Sequence, residues 1–297
     1  MQLNKLGRSE LKVSALGFGA MSLSLEDRLS DLQLIQTAYE EGIRYFDTAD
    51  LYAKGENEKL LGEGIKEFRK DIVLATKVGN VWNEDGRGWG WNVSKAYIHT
   101  AIDASLKRLQ TDYIDLYQLH GGTIGDDFDD VVDTFERLKE AGKIRAYGLS
   151  SIRPNVFKPY AQMGNMVSNM MQFSVLDTRP EEYLDFLEEQ HVGIIGRGTL
   201  AQGMLIDKAA KEYLGLDAGT VADVQTRVAQ VASEQGVSTI AVALFYVLRH
   251  GAVSSALIGA RTVSQFNELM SAYREMEGLD GDKVAALGVP LFYTSHR

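Results

Sequence analysis

YFDTADLY, residues 45–52, joins an apolar half to a polar half. Tyr45 and Phe46 suit a buried strand, whereas Asp47, Thr48 and Asp50 suit a loop at a polar surface. The run reads as a strand, IRYFD (43–47), that ends where polar chemistry begins. Its flanks decide the fold. Upstream, VSALGFGAM (13–21) reads as a strand and is followed by a stretch of helical period. Ser30 with Gln33 three residues on marks a capping box, Leu32, Ile35, Ala38 and Tyr39 form the apolar face, and Gly42 marks the stop. Downstream, a helix over 56–68 leads into DIVLATK (71–77), the next strand.

The alternation then repeats. Strands are expected at YIDLYQLH (113–120), IRAYGLS (144–150), MVSNMMQF (166–173), HVGIIG (191–196) and SSALIG (254–259). Helices are expected over 94–109, 128–141, 155–163, 180–190, 221–235, 238–249 and 264–276. No Pro/Gly/Ser-rich linker interrupts the 297 residues. Eight strands alternating with helices predict an α/β fold, a (β/α)8 TIM barrel spanning 1–297 as one domain. Such a barrel takes about 250 residues. The remainder predicts an N-terminal β-hairpin over 2–14, turning at Gly7-Arg8-Ser9 and closing the barrel floor, and extra helices near the C-terminus. An open dinucleotide-binding sheet is disfavoured, because Gly17-Phe18-Gly19-Ala20-Met21-Ser22 lacks the third glycine and the acidic residue that should follow.

The charge of -10 argues against nucleic acid or an anionic membrane as partner. The absence of cysteine excludes disulfides, thiolate catalysis and cysteine zinc sites, and it fits a cytoplasmic location. The first 14 residues carry no apolar signal core, and no apolar run approaches the roughly 18 residues of a membrane span. His99, His120, His191, His250 and His296 show no metal-ligand spacing, so no metal is expected. The sequence does not fix an oligomeric state, and a monomer is expected.

In a TIM barrel the chemistry gathers at the C-terminal ends of the strands. Those ends carry Asp47, Lys77, His120, Ser150-Ser151 and Gln172, and Tyr52 lies in the loop on the same face. Each has an ordinary explanation taken alone. Asp47 can cap a loop, Lys77 can sit in a surface turn, His120 can be structural, and Tyr52 is one of 13 tyrosines. Together they supply an acid, an amine, an imidazole and a phenol at one mouth, a set suited to proton transfer to a carbonyl. A free phenol titrates near about 10, too high for efficient acid catalysis at neutral pH, and an adjacent ammonium favours its anion.

At these residues the sequence resembles the aldo-keto reductase superfamily, along nearly the whole chain. The resemblance rests on LGFGAM (16–21), YFDTADLY (45–52), VLATKVG (73–79), TDYIDLYQLH (111–120), KIRAYGLSS (143–151), MMQFSVLD (170–177), LAQGML (200–205) and LIGARTVSQF (257–266). GTIGDDFDD and SSIRPNVF are similar to a group of little-characterised bacterial members. The resemblance implies Tyr52 as general acid in reduction, Lys77 and Asp47 as its tuning pair, and His120 as the residue that positions the carbonyl. It implies an NADPH-dependent oxidoreductase, with NADH as an alternative cofactor, that reduces a small-molecule aldehyde or ketone by hydride transfer.

The cofactor positions implied in the same way begin with Gly19, Ala20, Met21 and Asp47. Ser150, Ser151 and Gln172 match the carboxamide end, with Ser151 where asparagine is usual. Arg197 stands where many members stack an aromatic ring on the nicotinamide, and a planar guanidinium can stack likewise. Gly198, Thr199, Leu200, Gln202 and Gly203 follow the pyrophosphate, with Thr199 replacing a common proline. Ile258, Gly259, Ala260, Arg261, Gln265 and Glu268 match the adenosine end. Arg261 is the expected partner of a 2′-phosphate, against the alternative of a solvated surface arginine. Leu269 stands where an adenine-contacting asparagine is usual. Trp82, Trp89 and Trp91 share one loop, where they either pack it down or wall a substrate pocket, and the short tail VPLFYTSHR suggests that pocket is open. Two other readings stay open: a non-enzymatic cofactor sensor of the same fold, and an aldolase with Lys77 as Schiff-base lysine.

Overall fold

The computed structural model describes residues 1–295, so His296, one of the five histidines, lies outside the described residues. An antiparallel hairpin, β1 (Leu3–Lys5) and β2 (Lys12–Ser14), opens the chain. Barrel strands β3 (Leu16–Gly19), β4 (Tyr45–Asp47) and β5 (Val73–Val78) follow. A second hairpin, β6 (Asn80–Trp82) and β7 (Trp89–Trp91), stands outside the barrel. The barrel resumes with β8 (Ile114–Leu119), β9 (Ile144–Leu149), β10 (Ser168–Gln172), β11 (Gly193–Arg197) and β12 (Val253–Ile258). All eight barrel strands pair in parallel, and β12 closes on β3 through Ala256↔Leu16, Leu257↔Gly17 and Ile258↔Phe18.

The helices are α1 (Arg28–Glu40), α2 (Glu56–Gly64), α3 (Lys95–Leu109), α4 (Phe128–Glu140) and α5 (Pro154–Met163). After them come α6 (Leu184–Glu189), α7 (Ala218–Gln235), α8 (Thr239–Leu248), α9 (Val263–Glu275) and the short α10 (Gly281–Ala285). Among the described residues no single helix is long and apolar enough to cross a membrane. The fold is thus the TIM barrel expected from the alternation, with its N-terminal hairpin and additional C-terminal helices.

The hairpin supplies the floor. Leu6 and Val13 are fully buried and cluster with Tyr45, Val73, Ala75, Leu116, Ala146 and Ile195, which are apolar side chains of the barrel strands. Four local expectations need correction. The helix expected over 180–190 is a 3-10 segment, Arg179–Tyr183, followed by α6 from Leu184. The segment 13–21 is two strands and a 3-10 turn, because buried Ser14 turns its hydroxyl onto the Leu16 carbonyl at 2.6 Å and the chain changes sheets at Ala15. Asp27, not Ser30, caps α1, since the Asp27 carboxylate accepts from the Ser30 N–H at 3.1 Å. The helix expected over 56–68 ends at Gly64 and continues as a kinked 3-10 segment, Lys66–Asp71.

Candidate active site

Side chains on a strand alternate between its two faces, so residues two apart share one face. On β4 the inward face carries Tyr45 and then Asp47; on β5, Val73, Ala75 and then Lys77; on β8, Leu116, Gln118 and then, one residue past the strand, His120. The opposite parity, Phe46, Leu74, Tyr117 and Leu119, packs into the helix layer. Each strand thus rises from an apolar floor to a polar residue at the mouth. The same step of two takes Ala146 to Ser150, Met170 to Gln172 and Ile195 to Arg197.

Lys77 is 1% exposed and forms an ion pair with Asp47, itself 3% exposed. Its ammonium also donates to the Thr48 carbonyl at 2.7 Å. Gln118 Nε2 donates to Asp47 Oδ2 at 3.0 Å, and the Tyr45 hydroxyl donates to the same oxygen at 3.4 Å. Burial opposes the charge on Lys77, but Asp47 and Tyr52 outweigh it and hold the ammonium pKa above its ordinary value. The half-buried Tyr52 ring lies with its centroid 5.1 Å from Lys77 Nζ and 5.8 Å from the His120 ring, edge to face at 85°. Ala53, Lys54 and Gly55, at φ of 47°, 55° and 88°, turn the chain left-handed directly after Tyr52 and bring its ring back over the barrel. Burial first, then Lys77 and Arg197, pushes His120 down to about 3, so its imidazole is neutral at physiological pH. His120 Nδ1 is buried without a hydrogen-bond partner among the described residues.

A cavity of about 480 Å³ opens over His120. Trp89 and Trp91 form part of its wall, with Ser150, Ser151, Arg153 and Arg197 among the other lining residues. Trp82 does not line it. Its indole N–H donates to the Leu51 carbonyl at 3.0 Å and its ring meets Trp89 at 5.9 Å, so it ties the β6–β7 hairpin to the loop that carries Tyr52. Trp91 donates to Asp126 Oδ1 at 2.8 Å.

The expected cofactor positions lie along the rim and beside it. Gln172 receives Arg197 Nη1 at 3.2 Å and donates to the Tyr213 hydroxyl at 2.8 Å. Ser151 Oγ is engaged by the Arg153 N–H at 3.2 Å, and Asn169 brackets the Ser151 backbone from both sides. Gly198, Gln202 and Gly203 adopt φ of 68°, 59° and 91°, and Lys208 Nζ donates to the Gln202 carbonyl at 2.7 Å. Between them, Thr199 Oγ1 is buried without a partner among the described residues, and Leu200 is half-buried. Gly19, Ala20 and Met21 end β3 and begin the turn after it, with Met21 69% exposed. Ile258 and Ala260 are buried; Gly259, Arg261, Gln265 and Glu268 are exposed. The Arg261 N–H donates to Gln265 Oε1 at 3.0 Å ahead of α9, and Arg261 has no carboxylate within 4.0 Å among the described residues.

The sequence reading passed over several residues of this site. Gln118 shares the inward parity of Lys77 and His120, and that parity was the available signal. Asn80, whose amide donates to the His120 carbonyl at 3.0 Å, begins the β6–β7 hairpin outside the barrel, and Tyr213 lies in a loop; neither had such a signal.

A model of the aldo/keto reductase family matches residues 15–287. An uncharacterised oxidoreductase of Bacillus subtilis, YqkF, is 45% identical over 92% of this chain and 91% of its own. The L-galactose dehydrogenase of Arabidopsis thaliana is 30% identical over 95% of this chain and 91% of its own. The holo form of the aldo-keto reductase AKR11C1 from Bacillus halodurans is similar in structure with a TM-score of 0.92 at 41% identity, covering 100% of this chain and 99% of that one. Its apo form gives a TM-score of 0.85 over the same shares. With the barrel and the mouth cluster in place, these matches show that the chain belongs to the aldo/keto reductase family.

Proposed function

We propose that the protein reduces an aldehyde or ketone to the alcohol with NADPH, and that Tyr52 delivers the proton. The observation that carries this reading is a buried ammonium, paired with Asp47, 5.1 Å from the Tyr52 ring and beside a neutral imidazole. Lys77 stabilises the phenolate left when Tyr52 gives up its proton. Asp47, fixed by Gln118 and Tyr45, holds that ammonium charged and in place. A neutral His120 donates an N–H to the carbonyl oxygen without placing a second cation beside Lys77.

When bound, the nicotinamide supplies the hydride that the carbonyl carbon receives. The residues fit such a group. The Thr199 hydroxyl, without a partner among the described residues, lies between left-handed Gly198 and the left-handed stretch 201–203, and Arg261 faces solvent with no carboxylate partner among the described residues. Ser150, Gln172 and Arg197 would hold the nicotinamide end, Gly198, Thr199 and Gln202 the pyrophosphate, and Arg261 the 2′-phosphate.

The test is loss of absorbance at 340 nm with NADPH and 4-nitrobenzaldehyde. Tyr52→Phe is expected to lose most of the rate, on the order of 10²-fold or more, and to keep NADPH binding. A fully active variant would remove Tyr52 from the mechanism. Arg261→Ala is expected to weaken NADPH and leave NADH unchanged; equal NADPH preference in both proteins would remove the 2′-phosphate assignment.

A further inference from the structure

The cavity over His120 has a charge pattern that carbonyl reduction does not by itself require. The chain carries 41 acidic and 31 basic residues, yet no acidic side chain lines this cavity. Its charged lining residues are Arg153 and Arg197. Neither has a carboxylate within 4.0 Å among the described residues, whereas half-buried Arg69, Arg108 and Arg179 each pair with one; half-buried Arg44 also lacks one and gives Nη1 to two backbone carbonyls. Arg153 is half-buried and gives Nη1 to the Gly122 carbonyl at 2.8 Å, a neutral partner, so it makes no ion pair among the described residues. Asp126, held by the Thr123 N–H, the Thr123 hydroxyl and the Trp91 indole, keeps its charge but lies beyond ion-pair distance of Arg153.

Sheltering a cation without a counter-ion is costly, and a bound anion would relieve the cost. Arg197 is assigned above to the nicotinamide end. Of the lining residues left for substrate, Arg153 is the charged one. It follows β9 and begins α5, so it is anchored between two rigid elements. Trp91 has its N–H committed to Asp126 and so offers only ring surface to a ligand.

We propose that the substrate is a carbonyl compound bearing an oxyanion, a carboxylate or a phosphate, and that Arg153 selects it by pairing with that group. Arg153 then acts as a specificity residue, apart from the proton transfer at Tyr52. The proposal rests on the carbonyl-reduction reading. The experiment compares kcat/KM for 4-carboxybenzaldehyde and its neutral methyl ester in wild type, Arg153→Lys and Arg153→Met, with 4-formylphenyl phosphate as the phosphate arm. The acid-to-ester ratio is expected to fall about tenfold in Arg153→Met, mainly through KM, and to be largely kept in Arg153→Lys. The wild-type rate on the acid should also fall with added salt while that on the ester stays flat. The larger ratio to ester, carboxylate or phosphate, identifies the oxyanion. Turnover of the ester with an unchanged ratio in Arg153→Met overturns this proposal alone. Should Arg153→Met not fold, the wild-type salt profile decides, and equal profiles for acid and ester overturn it. No turnover of any of the aldehydes by wild type overturns the carbonyl reading and this proposal with it.

Discussion

Asp50 stands two residues before Tyr52, with Oδ1 buried and without a hydrogen-bond partner among the described residues. Burial first and the neighbouring Glu58 second push its carboxyl up to about 8, against the opposing pull of Arg108. The folded chain therefore holds this proton across a range where the unfolded chain, titrating near about 4, has lost it. The resulting stability is fully present below about pH 4 and is lost as pH rises towards about 8, at up to about 1.4 kcal/mol per unit. Asp50→Asn keeps the neutral form at every pH. Wild type should lose about 2–4 °C of Tm per pH unit relative to this variant between pH 5 and 8, by calorimetry. Parallel Tm profiles would show that Asp50 is ionised in the fold. His120 acts in the opposite direction: its folded value of about 3 makes the protein lose stability as pH falls from about 6.5. At this scale Asp47, Lys77 and His120 were legible because strand parity and strand ends are written in the sequence. Gln118 was overlooked because its inward direction matters only once Asp47 is known to need a second donor. Arg153 carried no signal, since its missing counter-ion exists only in three dimensions.

The β6–β7 hairpin is the element on which the tryptophan wall of the cavity, proposed here to face the substrate, depends. Gly79 leads into it at φ 122°, and a Cβ there would meet the Trp91 ring at 2.6 Å. An alanine is disfavoured both by the backbone and by that ring. Gly79→Ala should therefore displace Trp91 and the wall with it. The expected result is a change in near-UV tryptophan circular dichroism and a KM for the carbonyl compound raised about tenfold, with NADPH affinity kept. A changed tryptophan signal with an unchanged KM would detach this wall from substrate binding. The sequence placed three tryptophans on one loop but did not show that the loop folds back as paired strands. Its register, Asn80↔Trp91 and Trp82↔Trp89, leaves Asn83 to Gly88 as a glycine-containing turn without alternating apolar residues. The helices were read more completely, because their apolar faces repeat locally. Their starts were less secure: Asp27 and Ser30 are both good caps, and only the folded geometry shows which side chain meets a free N–H.

Across the whole molecule, the barrel separates what stabilises it from what acts. Alternating strands and helices made the (β/α)8 topology legible, whereas the pairing of β12 with β3 that closes it joins residues about 240 apart in sequence and has no local signature. The hairpin at the floor has a similar long-range dependence. Gly7 turns at φ 52° so close beneath the barrel that a Cβ would lie 2.1 Å from the Val167 carbonyl, and the Arg8 N–H donates to the His191 carbonyl at 2.8 Å. This turn seats Leu6, fully buried, among the lowest inward side chains of the barrel. Leu6→Ala removes that plug and leaves a cavity, at an expected cost of about 2–5 kcal/mol. Tm should fall by about 5–15 °C. The mouth is at the other end of the strands, so kcat at 25 °C with a simple aldehyde should stay within about twofold of wild type. A Tm that hardly moves would mean the hairpin is not a structural plug. A kcat that falls along with Tm would mean that floor and mouth are mechanically coupled through the inward column from Tyr45 to Asp47, where a floor residue donates directly to the carboxylate that holds Lys77.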